Sequence, residues 1–508
     1  MRRMKACWLL TMTLALVPAP ALGQQEKGWI GQKVVFKQPT KLRLAGRVTD
    51  EGKLFRVYTV TRTDGPRLRL VSGTVAGWVN DGDVVRYDEA IDYFTASIRE
   101  NPSAWAYGNR GTIWVEKKEY DIAIGDYTES IRLDPKDAGS FRNRGLTWFD
   151  KKNYDKAIED YTESIRLAPK EAIGFIERGV AWCYKSDYDK AVVDFTEAIG
   201  LDPKNARAFG GRASAWCFKE DYDKTIANCN EAIRLDPMQA TAFHTRGLAW
   251  SHKKDDEKAL ADFNESIRLD PKSASAFGNR GGAWYDKEEY DKAIADWTEA
   301  IRLDSKLAWA YANRGIAWSD KKEYDKSLAD FNEAIRLDSK LALAFAGRGR
   351  AWLAKKDNDQ AMADLNEAIR LDPKLAWSYS NRAATWSRKK EYEKALADFN
   401  EAIRLDPKEA RGYNGRAWIW ATCPDEQSRD GKKAAESATR ACELSEWKDG
   451  DCLGTLAAAC AEAGDFAAAI RWQEKAQGMY ADEKDQEEGR ARLELYRQQK
   501  PYRQEPGA

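Results

Sequence analysis

Apolar and polar residues recur with helical spacing from residue 104 to residue 409, and the whole pattern returns every 34 residues. Each copy contains two amphipathic stretches of about 14 residues, separated by a polar junction. This pattern predicts two helices per copy, helix A and then helix B, stacked against the next pair. Nine copies follow one another without insertion or deletion, and they begin at Ala104, Ala138, Ala172, Ala206, Ala240, Ala274, Ala308, Ala342 and Ala376.

Most copies close on an Asp-Pro pair, such as Asp134-Pro135, and serine replaces the proline at Ser305 and Ser339. An Asp side chain can cap a helix, and proline presets the φ angle of a first helical turn. We therefore expect this pair to start the helix A of the following copy.

Residue size is also periodic when positions are counted from the first alanine of each copy. Position 8 is Gly in seven copies and Ala in two, and position 20 is small as well. A glycine inside a helix costs about 0.5–1 kcal/mol relative to alanine, so its repeated use predicts a close contact between helices. Position 11 is Trp in all nine copies and position 24 is mostly aromatic, which predicts a core of large rings.

These positions resemble those of the tetratricopeptide repeat, with Trp in place of Tyr at position 11 and Arg in place of an aliphatic residue at position 7. The resemblance implies a mainly α protein, a right-handed α-solenoid of helix-turn-helix repeats. It also implies a concave face, lined by helix A, that binds proteins or peptides.

The arginine at position 7 recurs in all nine copies on a largely apolar surface, and position 23 is Asp in eight of them. Because an unpaired buried charge is unfavourable, we expect structural ion pairs such as Arg280 with Asp296, within or between adjacent repeats. Asn228 replaces the aspartate in the copy that contains Arg212, which weakens the hypothesis there.

The segment before the repeats changes from helical spacing to short apolar or alternating runs, which predict about five strands in a small barrel. Its Leu42-Arg43-Leu44 and Gly77-Trp78-Val79 sequences resemble bacterial SH3-like domains. The resemblance implies a small all-β SH3-like barrel that precedes the solenoid and binds cell-wall peptide or a protein segment. A folded spacer that covers the end of the solenoid explains the same pattern.

The first 23 residues have a basic start, an apolar run from Ala6 to Val17 and a small-residue end at Gly23. This order is typical of a Sec signal peptide, and the run is too short for a membrane span. We therefore expect a periplasmic or secreted protein with no integral membrane segment after cleavage. The predicted divisions are 1–23 signal peptide, 28–86 SH3-like domain, 87–103 capping half-repeat, 104–409 nine repeats, 410–483 two divergent repeats, and 484–508 capping helix and tail.

Seven cysteines follow the signal, an odd number for a compartment where disulfides form. Cys442 and Cys452 lie on either side of a short predicted connection, so they form either a disulfide or two buried free thiols. No Cys-x-x-Cys unit occurs, and His244 and His252 are about 12 Å apart along one helix, too far to share a metal. The sequence thus predicts no metal site.

Lys plus Arg and Asp plus Glu each number 82, so the formal net charge is zero and argues against nucleic-acid binding. The sequence contains no Gly-rich phosphate loop, nucleophile elbow or metal-spaced cluster. We therefore predict no catalytic residues and no cofactor. The chain is not expected to be an enzyme.

The resemblance implies that positions 2, 5, 9, 12 and 13 of helix A line the concave face. The chain is therefore predicted to be a non-catalytic scaffold of the cell envelope or secreted space, which binds proteins or peptides there. The alternative is a docking protein attached to the cell wall through the SH3-like domain. The candidate groove residues are Leu146, Phe149, Ile173, Ile176, Val180, Tyr184, Phe218, Trp105, Trp309 and Trp377.

Overall fold

The computed structural model describes residues 29–504 except 39, 41, 45–46, 51–56, 73–74 and 481, so the predicted signal peptide lies outside the described residues. The described chain divides into two compact units between Pro271 and Lys272. They are called the N-terminal unit and the C-terminal unit below.

The N-terminal unit begins with an antiparallel sheet of seven strands, in the order β3-β2-β6-β5-β4-β1-β7. Two strands exceed the predicted five: β3, which forms a hairpin with β2, and β7, which pairs with β1. Alternating side chains on β4 and β5 are buried, as the period-2 pattern requires. The strands are β1 Lys33–Phe36, β2 Leu42–Leu44, β3 Arg47–Asp50, β4 Tyr58–Asp64, β5 Arg67–Ser72, β6 Val75–Asn80 and β7 Val84–Arg86.

Twenty-four α-helices follow in the described chain, and within each unit they form a solenoid-like arrangement of helix pairs. Helix α1 stands alone, α2 to α19 form nine pairs, α20 to α23 form two more, and α24 is last. The helices of the N-terminal unit are α1 Ala90–Glu100, α2 Ala104–Glu116, α3 Tyr120–Leu133, α4 Ala138–Asp150, α5 Tyr154–Leu167, α6 Ala172–Tyr184, α7 Tyr188–Leu201, α8 Ala206–Phe218, α9 Tyr222–Leu235, α10 Ala240–His252 and α11 Asp256–Leu269.

The C-terminal unit continues with the same pairs and then with longer connections. Its helices are α12 Ala274–Asp286, α13 Tyr290–Leu303, α14 Ala308–Asp320, α15 Tyr324–Leu337, α16 Ala342–Ala354, α17 Asn358–Leu371, α18 Ala376–Arg388, α19 Tyr392–Leu405, α20 Ala410–Thr422, α21 Gly431–Leu444, α22 Gly450–Glu462, α23 Phe466–Gln477 and α24 Glu483–Arg497.

The turn between helix A and helix B uses a left-handed residue at position 15 of each regular repeat. Lys118, for example, has φ 64°, and the next amide, that of Glu119, donates to the Trp114 carbonyl at 2.9 Å. This six-to-one bond satisfies a carbonyl that the end of helix A would otherwise leave unpaired. The polar junction therefore ends helix A sharply.

The Asp-Pro pair does not start helix A, contrary to the sequence-based expectation. The side chain of Asp134 accepts the Lys136 amide inside the connecting turn. The N-cap position is the residue immediately before each copy, and at Asp137 the side chain caps the helix by accepting the amides of Gly139 and Ser140. Two more residues separate the proline from the helix. The aspartate therefore stabilises the turn and does not cap the helix.

Small residues allow the two helices of a repeat to approach closely, as predicted. A Cβ atom on Gly145 would lie 2.9 Å from the Tyr161 ring at position 24. The tryptophans at position 11 lie nearer the surface than expected: Trp148 is only half-buried, and the Lys156 ammonium lies 4.2 Å from its ring centroid. The core therefore centres on position 24, and a lysine covers the tryptophan.

The first helices of successive repeats contact each other in both units, for example α6 with α8 and α16 with α18. Among the described residues, the second helices make no comparable contact with one another. The first helices therefore form the more tightly packed, inner layer within each unit.

Candidate partner-binding groove

Arginine and aspartate pairs hold the inner layer to the outer one in eight of the nine regular repeats. Arg280 donates from Nε to Oδ2 of Asp296 at 2.8 Å and from Nη2 to Oδ1 at 2.6 Å. Both residues belong to the same repeat, so the forked pair ties helix A to helix B. The same pairing occurs at Arg110–Asp126, Arg144–Asp160, Arg178–Asp194, Arg246–Asp262, Arg314–Asp330, Arg348–Asp364 and Arg382–Asp398.

The remaining guanidinium nitrogen reaches the preceding repeat. Arg144 Nη1 donates to Thr128 at 3.1 Å, and Arg348 Nη1 donates to Asn332 at 2.7 Å. Arg212 is the exception because Asn228 offers one neutral oxygen at 2.7 Å. Burial without a carboxylate lowers the pKa of Arg212. The position-7 arginines thus have a structural role, and they link neighbouring repeats.

The predicted groove residues have four different environments. Leu146 is exposed, and Ile173, Val180 and Trp377 are partly exposed on first helices. Ile176 is 1% exposed and packs in the core, and Trp309 is 7% exposed because it fills the space above Gly278. These two side chains support the groove from beneath and offer little surface to a partner.

Trp105 contacts the β-sheet module. Its indole nitrogen donates to the Lys37 carbonyl at 3.1 Å, and the ring packs against the core of the sheet. Val35, Val85 and Phe94 join strands β1 and β7 to helices α1 and α2. The module therefore covers the first helices of the solenoid, and Trp105 contributes to that contact.

Phe149, Tyr184 and Phe218 belong to a row of aromatic rings across repeats two to five, which we call the aromatic row. At each of three repeat boundaries, a ring at the start of one helix B contacts a ring at the end of the next helix A, and Phe149 also contacts both rings of the first boundary. All of its rings are half-buried. The centroid distances are 5.3 Å for Phe149–Tyr154, 4.8 Å for Phe149–Tyr184, 5.2 Å for Tyr154–Tyr184, 4.8 Å for Tyr188–Phe218 and 4.7 Å for Tyr222–His252.

A buried carboxylate lies on the inner layer of the same repeats. Glu177 on α6 is 7% exposed, Arg142 Nε on α4 is 3.9 Å from its Oε2, and that oxygen has no hydrogen-bond partner among the described residues. Burial raises the pKa of Glu177, and the positive charges of Arg142 and Arg207 oppose the shift. Charged groups therefore lie in the inner layer near the aromatic row.

The equivalent surface of the C-terminal unit is polar. The Tyr285 hydroxyl donates to Asp320, and Arg350 Nη2 donates to the same carboxylate at 2.7 Å. Burial beside this carboxylate strongly raises the pKa of Tyr285. Arg388 donates to the Leu353 carbonyl. One ring pair, Tyr285–Tyr290 at a centroid distance of 5.5 Å, lies among these polar groups. The ring contacts that join successive repeats in the aromatic row lie in the N-terminal unit.

Comparison with protein families agrees with the repeat geometry. Models described as tetratricopeptide repeat match residues 85–138, 138–171, 313–376 and 376–409, and a model described as TPR repeat matches residues 281–318. The chain contains tetratricopeptide repeats. No significant match to a curated protein was found.

Solved structures that resemble the chain include other tetratricopeptide-repeat proteins. Cut9–Hcn1 of the APC/C is 15% identical, with 73% of this chain and 87% of that chain covered and a TM-score of 0.47. Yeast Tom70 is 18% identical, with 78% and 96% covered and a TM-score of 0.38. YrrB, described as a TPR protein with an unusual peptide-binding site, is 22% identical, with 36% and 95% covered and a TM-score of 0.31. Resemblance at this level concerns the fold and not the function.

Half of the aromatic row was missed from the sequence. Tyr154, Tyr188 and Tyr222 occupy position 17, the first residue of helix B in these tetratricopeptide repeats. The signal was present, because a tyrosine recurs there after the polar junction in most copies. Only the packed repeats show that position 17 of one repeat meets position 13 of the next.

The cysteines and histidines considered in the sequence analysis are packed against other side chains. Cys442 and Cys452 are buried free thiols in the structure, and burial raises the pKa of Cys442 to about 12. His244 is buried and His252 stacks on Tyr222. Within the described residues, no cluster of three potential metal ligands occurs, and no helix is long and apolar enough to span a bilayer.

Proposed function

We propose that the chain is a non-catalytic scaffold that binds a protein or peptide partner through the aromatic row. Tetratricopeptide-repeat proteins are generally protein-binding scaffolds. The observation that supports this proposal is that ring contacts recur at three successive repeat boundaries, from Phe149 in the second repeat to His252 in the fifth.

Paired aromatic rings suit a recognition surface for physical reasons. Each ring offers a large apolar face and loses little conformational entropy on binding, so aromatic residues are enriched among residues that dominate binding energy. Stacking such as that of Tyr188 on Phe218, with ring planes 1° apart, holds the rings in place before a partner arrives. The row therefore combines contact area with preorganisation.

A peptide-display selection tests the proposal. A library of random peptides is selected on the chain and then measured by fluorescence anisotropy against the Tyr184→Ser/Phe218→Ser variant. We expect the selected peptides to lose at least about tenfold in affinity, since truncation of central aromatic residues costs more than 1 kcal/mol.

Tyr324→Ser is the matched control, because Tyr324 has the same repeat position as Tyr188 but position 13 of the next repeat is Ala354, which has no ring. The control should bind the selected peptides as the unmodified chain does. If every selected peptide binds both variants equally well, the aromatic row is not the partner surface.

We also propose that the scaffold acts in the cell envelope or outside the cell, since residues 1–23 have the pattern of a Sec signal peptide. Amino-terminal sequencing of protein recovered from the periplasm or medium should find a start near Gln24.

Attachment to the cell wall through the SH3-like module is the second candidate function. Co-sedimentation of the full chain with purified cell wall should then depend on residues 28–86.

A further inference from the structure

The described C-terminal segment, Pro501 to Gln504, forms neither helix nor strand and packs back on the last repeats. It is called the tail below. The Gln504 amide donates to the Thr422 carbonyl at the end of α20, at 3.0 Å. The tail therefore has a fixed position on the C-terminal unit.

Two side chains of the tail occupy distinct subsites. The centroids of the Tyr502 ring and of the Trp418 ring on α20 are 5.9 Å apart. The Arg492 guanidinium of α24 lies 5.6 Å from the Trp418 centroid and 5.9 Å from the Tyr502 centroid. Arg503 Nη1 lies 2.6 Å from Oε2 of Glu462, the last residue of α22. One subsite takes an aromatic ring and the other takes a cation.

The cation subsite is built from partly buried groups. The side chain of Glu462 is 13% exposed, and Arg429, in the connection between α20 and α21, holds its other oxygen from Nε at 3.1 Å. Arg429 is fixed in turn, because its Nη1 donates to the Cys423 and Pro424 carbonyls. One carboxylate oxygen of Glu462 is thereby left directed to the tail.

The repeat register relates this site to the groove. Counted from Ala410, Trp418 is at position 9 and Thr422 is at position 13. Leu146 and Val180 have position 9 in their repeats, and Tyr184 and Phe218 have position 13. The tail thus lies on the same positions of helix A that were assigned to partner binding in the N-terminal unit.

We propose that α20 and α22 form a second binding site, which accepts an extended peptide with an aromatic residue followed by arginine, and that the tail occupies it in the resting protein. A backbone hydrogen bond, an aromatic anchor and a charge pair are three elements of peptide recognition. Tyr502 and Arg503 display the side chains that the site selects. A partner segment of the same chemistry displaces the tail.

Attachment makes the tail a strong competitor. A segment joined by a short linker has an effective concentration in the millimolar range. A peptide with an intrinsic Kd of about 10 µM would thus bind the full chain on the order of 100-fold more weakly than a chain without its tail.

The test measures binding of a fluorescein-labelled peptide with the sequence of residues 498–508 by fluorescence anisotropy. The full chain is compared with a chain that ends at Gln499 and with the full-length Tyr502→Ala/Arg503→Glu variant. We expect both altered chains to bind the peptide at least tenfold more tightly than the full chain. The full-length variant keeps the test valid if the truncated chain does not fold.

Specificity is tested with substitutions in the peptide and in the binding site. Peptides that carry Tyr502→Ala or Arg503→Glu should bind at least tenfold more weakly, and Glu462→Gln in the truncated chain should have the same effect. Glu446→Gln, on an exposed glutamate of the same unit, is the control and should leave binding unchanged. Equal binding by the full and altered chains, or no binding by either altered chain, would overturn the proposal. Dimerisation that is lost on truncation would assign the site to a second copy and overturn it as well.

Discussion

At the scale of the residue, ion pairs between arginine and aspartate within each repeat hold the inner layer of helices to the outer one. A forked pair such as Arg280–Asp296 satisfies both carboxylate oxygens, whereas Arg212 has the single amide oxygen of Asn228 in place of a carboxylate. The chain therefore contains its own comparison between a complete pair and an incomplete one. Stability should fall when asparagine replaces the aspartate of a complete pair, and it should rise when aspartate replaces Asn228.

Asp296→Asn should destabilise the C-terminal unit by about 1–3 kcal/mol, because it leaves a partly buried guanidinium with one acceptor in place of two. Hydrogen exchange of the α12 and α13 amides measures the loss locally, which suits a repeat array that does not unfold in one step. Asn228→Asp is the matched change, and it should slow exchange in α8 and α9. Equal exchange in both variants and the unmodified chain would contradict the structural role of the pairs.

Glu177→Gln should alter the pH dependence of stability. Burial raises the pKa of Glu177 above its ordinary value of 4.5, so the folded state binds this proton more tightly than the unfolded state does. Its contribution is therefore lost as the pH rises above 4.5, and the variant should have the higher Tm at pH 7. The difference should shrink toward pH 4 in scanning fluorimetry. Glu159→Gln, at an exposed position, is the control for the substitution itself.

At the scale of the element, contacts between helices decide which glycines can be replaced. A Cβ on Gly211 of α8 would lie 2.4 Å from the Phe195 ring of α7, which is 1% exposed and has no free space. A Cβ on Gly200 of α7 would meet no heavy atom within 4 Å. Both residues are helical, so intrinsic propensity alone favours alanine at each.

Gly211→Ala should lower the free energy of unfolding of these repeats by about 1–3 kcal/mol, because the added methyl group overpacks the contact with Phe195. Gly200→Ala should raise it by about 0.5–1 kcal/mol through helix propensity. Urea unfolding followed by circular dichroism compares the two. Stabilisation of both variants would show that the contact with Phe195 accepts a methyl group without cost.

At the scale of the whole molecule, the β-sheet module is part of the N-terminal unit and not a separate unit. It contacts the solenoid through Val35, Val85 and Trp105, and Lys33 Nζ lies 2.9 Å from Glu116 Oε2 at the end of α2. Burial and the neighbouring Glu116 raise the pKa of Tyr87 to about 12 at the same junction. The first repeat and the sheet should therefore lose structure together.

Trp105→Ala should destabilise the junction by about 3 kcal/mol, in the range for loss of a large packed aromatic side chain. Faster exchange is expected in β1, β7 and α2, with α8 to α11 unaffected, and hydrogen exchange with mass spectrometry resolves these segments. Trp377→Ala, at the same repeat position in the C-terminal unit, is the control and should leave the sheet unchanged. Unchanged exchange in β1 and β7 after Trp105→Ala would show that the module is held by other contacts.

The sequence by itself determined the repeat, its period and the two helices in each copy, because helical spacing and helix-breaking junctions are local properties. The small residues at position 8 also indicated the close contact with helix B, since an unfavourable residue that recurs needs a packing reason. The β-strand segments of the module were visible from their alternation, although β3 and β7 were not. Each of these features depends on residues near one another in the chain.

Only the tertiary structure decided which side chains form a surface. Ile176 and Trp309 fit the groove positions, yet neighbouring helices bury them, and Trp105 contacts the sheet. The aromatic row depends on the meeting of position 17 with the next repeat, and the tail site depends on residues more than 30 positions apart. Such contacts are set by the rotation between successive helices, which no local pattern encodes.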